Sequence, residues 1–421
     1  MIEQERLVAS FCELVQIDSP SDEEEDMAIH LTDRLDRLGF TVVRDAHGNV
    51  IASEEGQDPL LLSAHMDTVE PGRGINPIIK GERITSDGTT ILGGDCKAGV
   101  AAIMEGLESV SENRISRRPL QVVFTRGEEI GLVGATNLDY SLINAKEAVV
   151  FDGNGPVNTI TGASPTYMRF DVTVKGRAAH AGVEPEKGLS AIRIATEIIN
   201  DLPNGRLDDE TTFNVGLISG GSVRNAVPAE ATFGGEWRSM NAETLDSIKM
   251  QLLATLDSTR ERYKEAQIDE DLEVMFQMYN LDPDEKIVQL VTRVMRDMAL
   301  EPDIRPSGGG TDGNVMRLHG IESVVVGMST NEMHTVDEYV VIPDLVNTAK
   351  CCQQVICFAP YVSAPDNMEA LTQFWCVRYS FKLGAKFTEL PSPHLRLSDS
   401  CTDFVSPRRT GRPAFKAYGR P

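Results

Sequence analysis

The sequence predicts an α/β protein in which a central mixed, mostly parallel sheet is interrupted by a smaller inserted α+β domain of ferredoxin-like order. Three observations carry this. Short apolar runs alternate with segments of helical spacing between residues 41 and 152, and again from about 282 to 358. Between these regions the order is strand–helix–strand–strand–helix–strand, a split βαβ pattern. The 421 residues also suit two domains better than one. The expected limits are 1–162 with 275–360 for the main domain and 163–274 for the insert, with 361–421 as an atypical extension.

Residues 3–38 read as two helices, separated at Pro20. Ser21-Asp22-Glu23-Glu24 fits a capping box, with Ser21 as the cap. TVVRDA and NVIAS are short strands around a His-Gly-Asn turn. LLLSAHMD, QVVFT and EAVVFD read as buried strands, and 95–110 has helical spacing. In the insert, MRFDVTVKG, TTFNVGLISG, EATFGGEWRSM and LEVMFQM are strands, and 187–202 and 241–263 are helices. IVQLVTRVMRDM, ESVVVGM and 343–358 then restore the first pattern.

Composition narrows the function. A net charge of −24 leaves no basic footprint for nucleic acid. No run approaches the roughly 20 apolar residues of a membrane span. The first residues, MIEQERLVASFCELVQI, read as an amphipathic helix rather than a signal peptide. Seven scattered cysteines without a CxxC pair fit a reduced, cytoplasmic compartment. Residues 361–421 break the composition, with nine basic and five acidic residues against a body of net −28. That stretch reads as an extension without a packed core, or as the product of a shifted reading frame.

Several motifs carry chemistry. His65 and Asp67 are two residues apart at the end of a buried strand, so both face one side and the carboxylate can orient the imidazole. Asp95, in GGDCKAG, opens a helix, where it can serve as a cap or offer both oxygens to cations. Glu128 and Glu129 follow QVVFT directly, and a cation would relieve their mutual repulsion. Asp152 ends EAVVFD, and His334 follows ESVVVGM within MHTVDE. Each motif alone has an ordinary structural reading. Together they fall at the strand ends of an open α/β sheet, where ligands bind. Two imidazoles and three carboxylates suit zinc, and also manganese or cobalt.

With HMDTV, GGDCKAG, GEE, the strand-end FDG and GGGTDGN followed by MHTVDE, in that order, the chain resembles the co-catalytic zinc peptidases. That family includes peptidase T, carboxypeptidase G and the aminoacylases, and the spacing looks closest to peptidase T-like proteins. The resemblance covers about residues 5–360. It implies two zinc ions per subunit bridged by Asp95, with His65 and Asp152 on one and Glu129 and His334 on the other. Glu128 would be the general base toward an activated water, and Asp67 would orient His65. A cis peptide is expected at Asp95–Cys96. Cys96 departs from the aspartate that many relatives carry, and is taken as a tolerated neighbour.

In the insert, GRAAHAG resembles the family's lid motif, with His180 as an oxyanion donor that often reaches a neighbouring subunit. GGSVRNAVP resembles its substrate-binding turn. Asn225 and Arg238 are candidates to bind a substrate carboxylate, with a structural ion pair as the alternative for Arg238. Gly308–Gly313 resembles a pocket-lining loop. The same resemblance implies a homodimer through the insert's sheet edge. The expected activity is removal of the N-terminal residue from short peptides, with a carboxypeptidase or N-acyl-amino-acid hydrolase as the alternative. A binding protein with a dead site is disfavoured, because all five ligands and Glu128 are present.

Overall fold

A computed structural model describes residues 1–115 and 117–358. The expectations for 361–421 lie outside the described residues. The first part of the chain forms α1 (Gln4–Gln16), α2 (Glu25–Arg37), β1 (Thr41–Arg44), β2 (Val50–Ser53), β3 (Leu60–His65), β4 (Ile78–Lys80) and β5 (Arg83–Thr85). It continues with α3 (Gly94–Glu112), β6 (Leu120–Thr125), α4 (Val133–Thr136), β7 (Glu147–Gly153) and β8 (Thr159–Ser164). The middle part holds β9 (Thr166–Lys175), α5 (Ala191–Asp201), β10 (Gly205–Asp208), β11 (Thr211–Gly220), β12 (Glu230–Ser239), α6 (Ala242–Arg262) and β13 (Gln267–Phe276). The chain then returns through β14 (Tyr279–Asn280), α7 (Lys286–Asp297), β15 (Asp303–Pro306) and α8 (Asp312–Leu318). It closes with β16 (Glu322–Gly327), β17 (Thr330–Asn331), β18 (Tyr339–Val341) and α9 (Ile342–Phe358).

The main sheet runs β1-β2-β6-β3-β7-β16-β8-β14, with β15 also on β8. Its centre, β6-β3-β7-β16, is parallel and its flanks are largely antiparallel. β3 is buried along its whole length, as its continuous apolar run requires when helices cover both faces. Each buried leucine there stabilises the fold by about 1.5–3 kcal/mol. Helices α1, α3, α7 and α9 pack in one apolar core with alternate residues of these strands. Leu61, Val123, Val150 and Val325 enter a second core on the other face.

The insert is an antiparallel sheet, β10-β11-β12-β9-β13, on which α5 and α6 pack. Its separate core centres on Phe170, Phe213, Phe233 and Trp237. Both helices begin on side-chain caps: Ser190 accepts from the Arg193 amide and Asn241 from the Thr244 amide. No helix among the described residues is long and apolar enough to cross a membrane.

One local expectation is corrected. The Ser21 capping box does not form, and α2 starts at Glu25 without a side-chain cap. Ser21 Oγ instead donates to Asp67 Oδ2 at 2.7 Å, because a buried carboxylate is the stronger acceptor. Glu24 accepts from the Asp22 and Gly127 amides, at 3.1 and 2.9 Å. The sequence pattern also gave no sign of the four-stranded sheet β17-β18-β5-β4, whose strands hold only two or three residues each.

Gly99 sets the distance between α3 and β7. A Cβ there would lie 2.1 Å from the Phe151 carbonyl oxygen, beside Asp152. Gly99→Ala is expected to lower stability by about 1–3 kcal/mol through overpacking. Urea denaturation measures this, and an unchanged midpoint would contradict the close approach.

Candidate active site

Parallel pairing brings the sequence-predicted residues to one sheet edge. His65 ends β3, Glu128 and Glu129 follow β6, and Asp152 lies near the end of β7, the other neighbour of β3. Asp95 comes in at the start of α3, after a turn at Gly93 with φ +70°. His334 sits between β17 and β18 at φ +64°, in a stretch where Ser329 and Glu332 are also left-handed. Left-handed backbone at non-glycine residues costs about 1–3 kcal/mol each and clusters at functional sites.

Asp95 is the centre of the arrangement. Its Oδ1 lies 3.1 Å from His65 Nε2, which is 3.4 Å from Asp152 Oδ1. Its Oδ2 lies 3.1 Å from His334 Nε2, which is 3.0 Å from Glu129 Oε1. One carboxylate therefore joins two donor sets: His65, Asp95, Cys96 and Asp152 on one side, and Asp95, Glu129 and His334 on the other. The peptide bond between Asp95 and Cys96 is cis, as expected.

A second layer of contacts fixes these groups. His65 Nδ1 lies 3.0 Å from the Asp67 carbonyl and 3.3 Å from its carboxylate, leaving Nε2 for the cluster. Asp67 also accepts from the amides of Glu128 and Glu129, at 3.0 and 3.2 Å. Glu338, unassigned from the sequence, is fully buried and accepts from the amides of Leu92, Gly93 and Asp95 at 2.9, 2.7 and 3.0 Å. It holds the turn that presents Asp95. Its only sequence signal is its place four residues after His334. Cys96 donates its thiol to the Phe151 carbonyl at 2.8 Å.

Burial and hydrogen bonding pull the groups of the site in opposite directions. Burial pushes Asp152 up to about 7 and Asp312 up to about 6. Desolvation, reinforced by Asp152, also holds Glu128 well above the carboxylate range. Burial opposes ionisation of Asp95 too, but hydrogen bonds from His334 and His65 outweigh it and bring Asp95 to about 2. Hydrogen bonds to Asp95 and Glu129 raise His334 to about 10. Buried Lys97, on α3, is lowered by desolvation to about 8 and donates to the Ile17 carbonyl.

The remaining predicted residues lie in the insert, and none is hydrogen-bonded or ion-paired to the cluster among the described residues. His180 and Asn225 are close neighbours, linked by the Ala181 amide donating to the Asn225 carbonyl at 2.9 Å. Arg238 donates to both oxygens of Glu236, at 3.2 and 2.9 Å, and to the Gly308 carbonyl at 3.0 Å. It also stacks 4.4 Å over the Tyr167 ring. The Gly308–Gly313 loop leads into Asp312, which is buried, accepts from the Thr125 hydroxyl and leaves Oδ1 unpartnered.

The donor set fits divalent metal ions. Nitrogen and carboxylate oxygens converge from five separate segments of the chain, and they are too acidic a group to be buried together uncompensated. Glu129 Oε1 is buried, and His334 Nε2, 3.0 Å away, is shared with Asp95 Oδ2 at 3.1 Å, so one imidazole serves two carboxylates where a cation would serve all three.

Comparison with known proteins places the chain among peptidases. A family model described as a peptidase dimerisation domain, M20_dimer, matches residues 163–264, and a peptidase family M28 model matches 49–164. An uncharacterised Bacillus subtilis protein, YqjE, is 35% identical over 368 residues, covering 85% of this chain and 99% of its own length. The crystal structure of a Staphylococcus aureus tripeptidase superposes with a TM-score of 0.79 at 32% identity, covering 85% of this chain and 98% of that one. That of aminopeptidase PepT from Bacillus cereus gives 0.74 at 36% identity, covering 84% and 98%.

Two outcomes follow from the site. Glu338→Gln can no longer offer acceptors to all three amides, and should weaken divalent-metal affinity by about 10–100-fold. Calorimetric titration of stripped protein tests this, and unchanged affinity would remove Glu338 from the support. Metal uptake should also release protons at neutral pH, because His334, at about 10, must lose its proton to become a ligand. Affinity should therefore fall as pH is lowered. Titration in buffers of different ionisation heat reads the proton count, and zero release would contradict the assignment.

Proposed function

The chain belongs to the M20 metallopeptidases, on their peptidase T-like branch, and from that premise we propose that it removes the N-terminal residue from short peptides, tripeptides foremost. It is a metal-dependent hydrolase of peptide bonds. The observation that carries the reading is the shared carboxylate of Asp95, with His65 on one oxygen and His334 on the other. The relatives named a tripeptidase and an aminopeptidase support the substrate class.

His65, Asp95 and Asp152 would hold one ion and Asp95, Glu129 and His334 the other, with zinc as the expected metal. Such a pair, when bound, polarises the scissile carbonyl and makes an attacking water acidic near neutral pH. Glu128 is assigned as the base that accepts the water's proton and passes it to the leaving amine. Its amide is anchored on Asp67, so the carboxyl is presented from a fixed backbone. Asp67 in turn keeps His65 Nε2 toward the cluster.

His180 is assigned to the oxyanion of the tetrahedral intermediate. Its Nδ1 accepts from the Gly182 amide at 3.2 Å, which places the proton on Nε2, where a donor is needed. Asn225 and Arg238 are assigned to the substrate's carboxylate. Arg238 spends three of its five N–H groups on Glu236 and Gly308 and retains two.

A homodimer through the insert is part of the proposal. β10 covers β11 only at Thr211–Phe213, so the edge from Asn214 to Gly220 is unpaired on that side. Leu217 and Ile218 stand there 69% and 61% exposed, features of a strand awaiting a partner strand. The scattered free cysteines keep the cytoplasm as the proposed compartment.

Glu128→Gln should retain its metal and lose about 10²–10⁴-fold in turnover of a free tripeptide. Mass spectrometry of the products should show an N-terminal amino acid and a dipeptide, with the N-acetylated tripeptide intact. Cleavage of the blocked peptide or of N-acyl amino acids instead would make the chain a carboxypeptidase or acylase. Leu217→Lys should convert a dimer to a monomer in sedimentation velocity, and a dimer that survives would place the interface elsewhere.

A further inference from the structure

We infer that Ser21 and Glu24, in the segment between α1 and α2, are a clamp that positions Glu128 for proton transfer without touching the substrate. The two residues stand three apart, at the spacing of a helix capping box that the fold does not build. Their side chains reach instead to the two stretches of chain that present the base. The inference rests on the assignment of Glu128 as that base.

Glu128 needs support from its backbone. Its carboxyl makes no hydrogen bond or ion pair with another described residue, so its place is set by the chain that carries it. That chain is neither helix nor strand, and it is held amide by amide. From Arg126 to Glu129, four consecutive N–H groups each donate to a side-chain oxygen. Arg126 donates to Asn49 Oδ1 at 3.1 Å, Gly127 to Glu24 Oε1 at 2.9 Å, Glu128 to Asp67 Oδ1 at 3.0 Å and Glu129 to Asp67 Oδ2 at 3.2 Å.

Glu24 acts at the residue where rotation is easiest. Gly127 lies at φ +57°, and a glycine has the widest choice of backbone conformations. An acceptor on its amide stops the carboxyl that follows from swinging. Glu24 is itself 3% exposed, and its other oxygen lies 3.1 Å from Arg126 Nη2. Ser21 acts one step removed. Its hydroxyl donates to Asp67 Oδ2 at 2.7 Å, and Asp67 holds the Glu128 amide.

The clamp is anchored to the stretch after β3. Ser19 Oγ donates to the Met66 carbonyl at 2.8 Å, and the Thr68 amide donates to the Ser19 carbonyl at 3.0 Å. Arg73 closes it from outside, donating to both oxygens of Glu23 at 2.8 and 2.9 Å. Such holding matters for rate, since misplacing a reacting group by about 1 Å costs about 10²-fold.

Zinc-loaded parent, Glu24→Ala, Ser21→Ala, Glu128→Gln and Glu24→Ala/Glu128→Gln are compared on the free tripeptide trialanine. Removing Glu24 leaves the buried Gly127 amide without its acceptor, whereas water can take the exposed Asp22 amide. Glu24→Ala should lower kcat by about 10–100-fold, with KM changed by less than about twofold and both zinc ions still bound. Ser21→Ala should show the same pattern at about tenfold, and it carries the test should Glu24→Ala not fold. In the Glu128→Gln background, Glu24→Ala should cost less than about twofold more, because a base that is absent cannot be misplaced. An undiminished loss in that background, an unchanged kcat in both single variants, or a loss carried by KM or by missing zinc would overturn the clamp. Parent-level turnover by Glu128→Gln would overturn the base assignment and the clamp with it, and that result is seen without any change at Glu24.

Discussion

Everything at this site depends on keeping several carboxylates together at one buried sheet edge. Asp67, Asp95, Asp152 and Asp312 are all at most 8% exposed, and Glu128 and Glu129 join them from the end of β6. In a low-dielectric interior, such a group repels itself strongly. The fold answers in part with backbone amides: two on Asp67 and three on Glu338. His65, His334 and buried Lys97 add positive charge. The upward shifts of Asp152 and Asp312 record what is left uncompensated. Divalent cations are the natural completion of that balance.

The scaffold is built to hold this cluster in register. Parallel strands β6, β3 and β7 pair residue for residue, so a shift of one strand would move its ligand by a full residue and turn it to the other face. Asp67 ties two of the strand ends together, because it meets His65 from β3 and the amides after β6. Glu338 does the same over a separation of more than 240 residues, clamping the Asp95 turn from just before β18. The site is therefore positioned by buried polar contacts as much as by the apolar core, a design in which removing one acceptor leaves several donors unsatisfied.

Much of this was legible in the sequence. The strand ends at His65, Glu129 and Asp152 could be read because fully buried parallel strands are continuous apolar runs, and LLLSAH and EAVVFD show where those runs stop. The split pattern of the insert was equally plain from its alternating strands, although β10, four exposed residues long, has no such alternation. What escaped was long-range and polar. Glu338 was visible as a letter but not as a clamp, because its three donors are distant in the chain. Ser21 had two possible partners, and local spacing favoured the helix cap over Asp67, which is 46 residues away. Arg238 illustrates the same limit, since its hold on Glu236 and Gly308 depends on a strand pleat and a distant loop.

The central claim is that two metal positions share one carboxylate, and counting ions in variants tests it most directly. Protein stripped with chelator, reloaded with zinc and passed through a desalting column is analysed for metal by mass spectrometry. The account predicts two tightly held ions per chain in the parent protein, one in Glu129→Ala and none in Asp95→Ala, all three remaining folded by circular dichroism. A parent chain that holds a single ion, or an Asp95→Ala variant that still holds two, would contradict the shared-carboxylate arrangement.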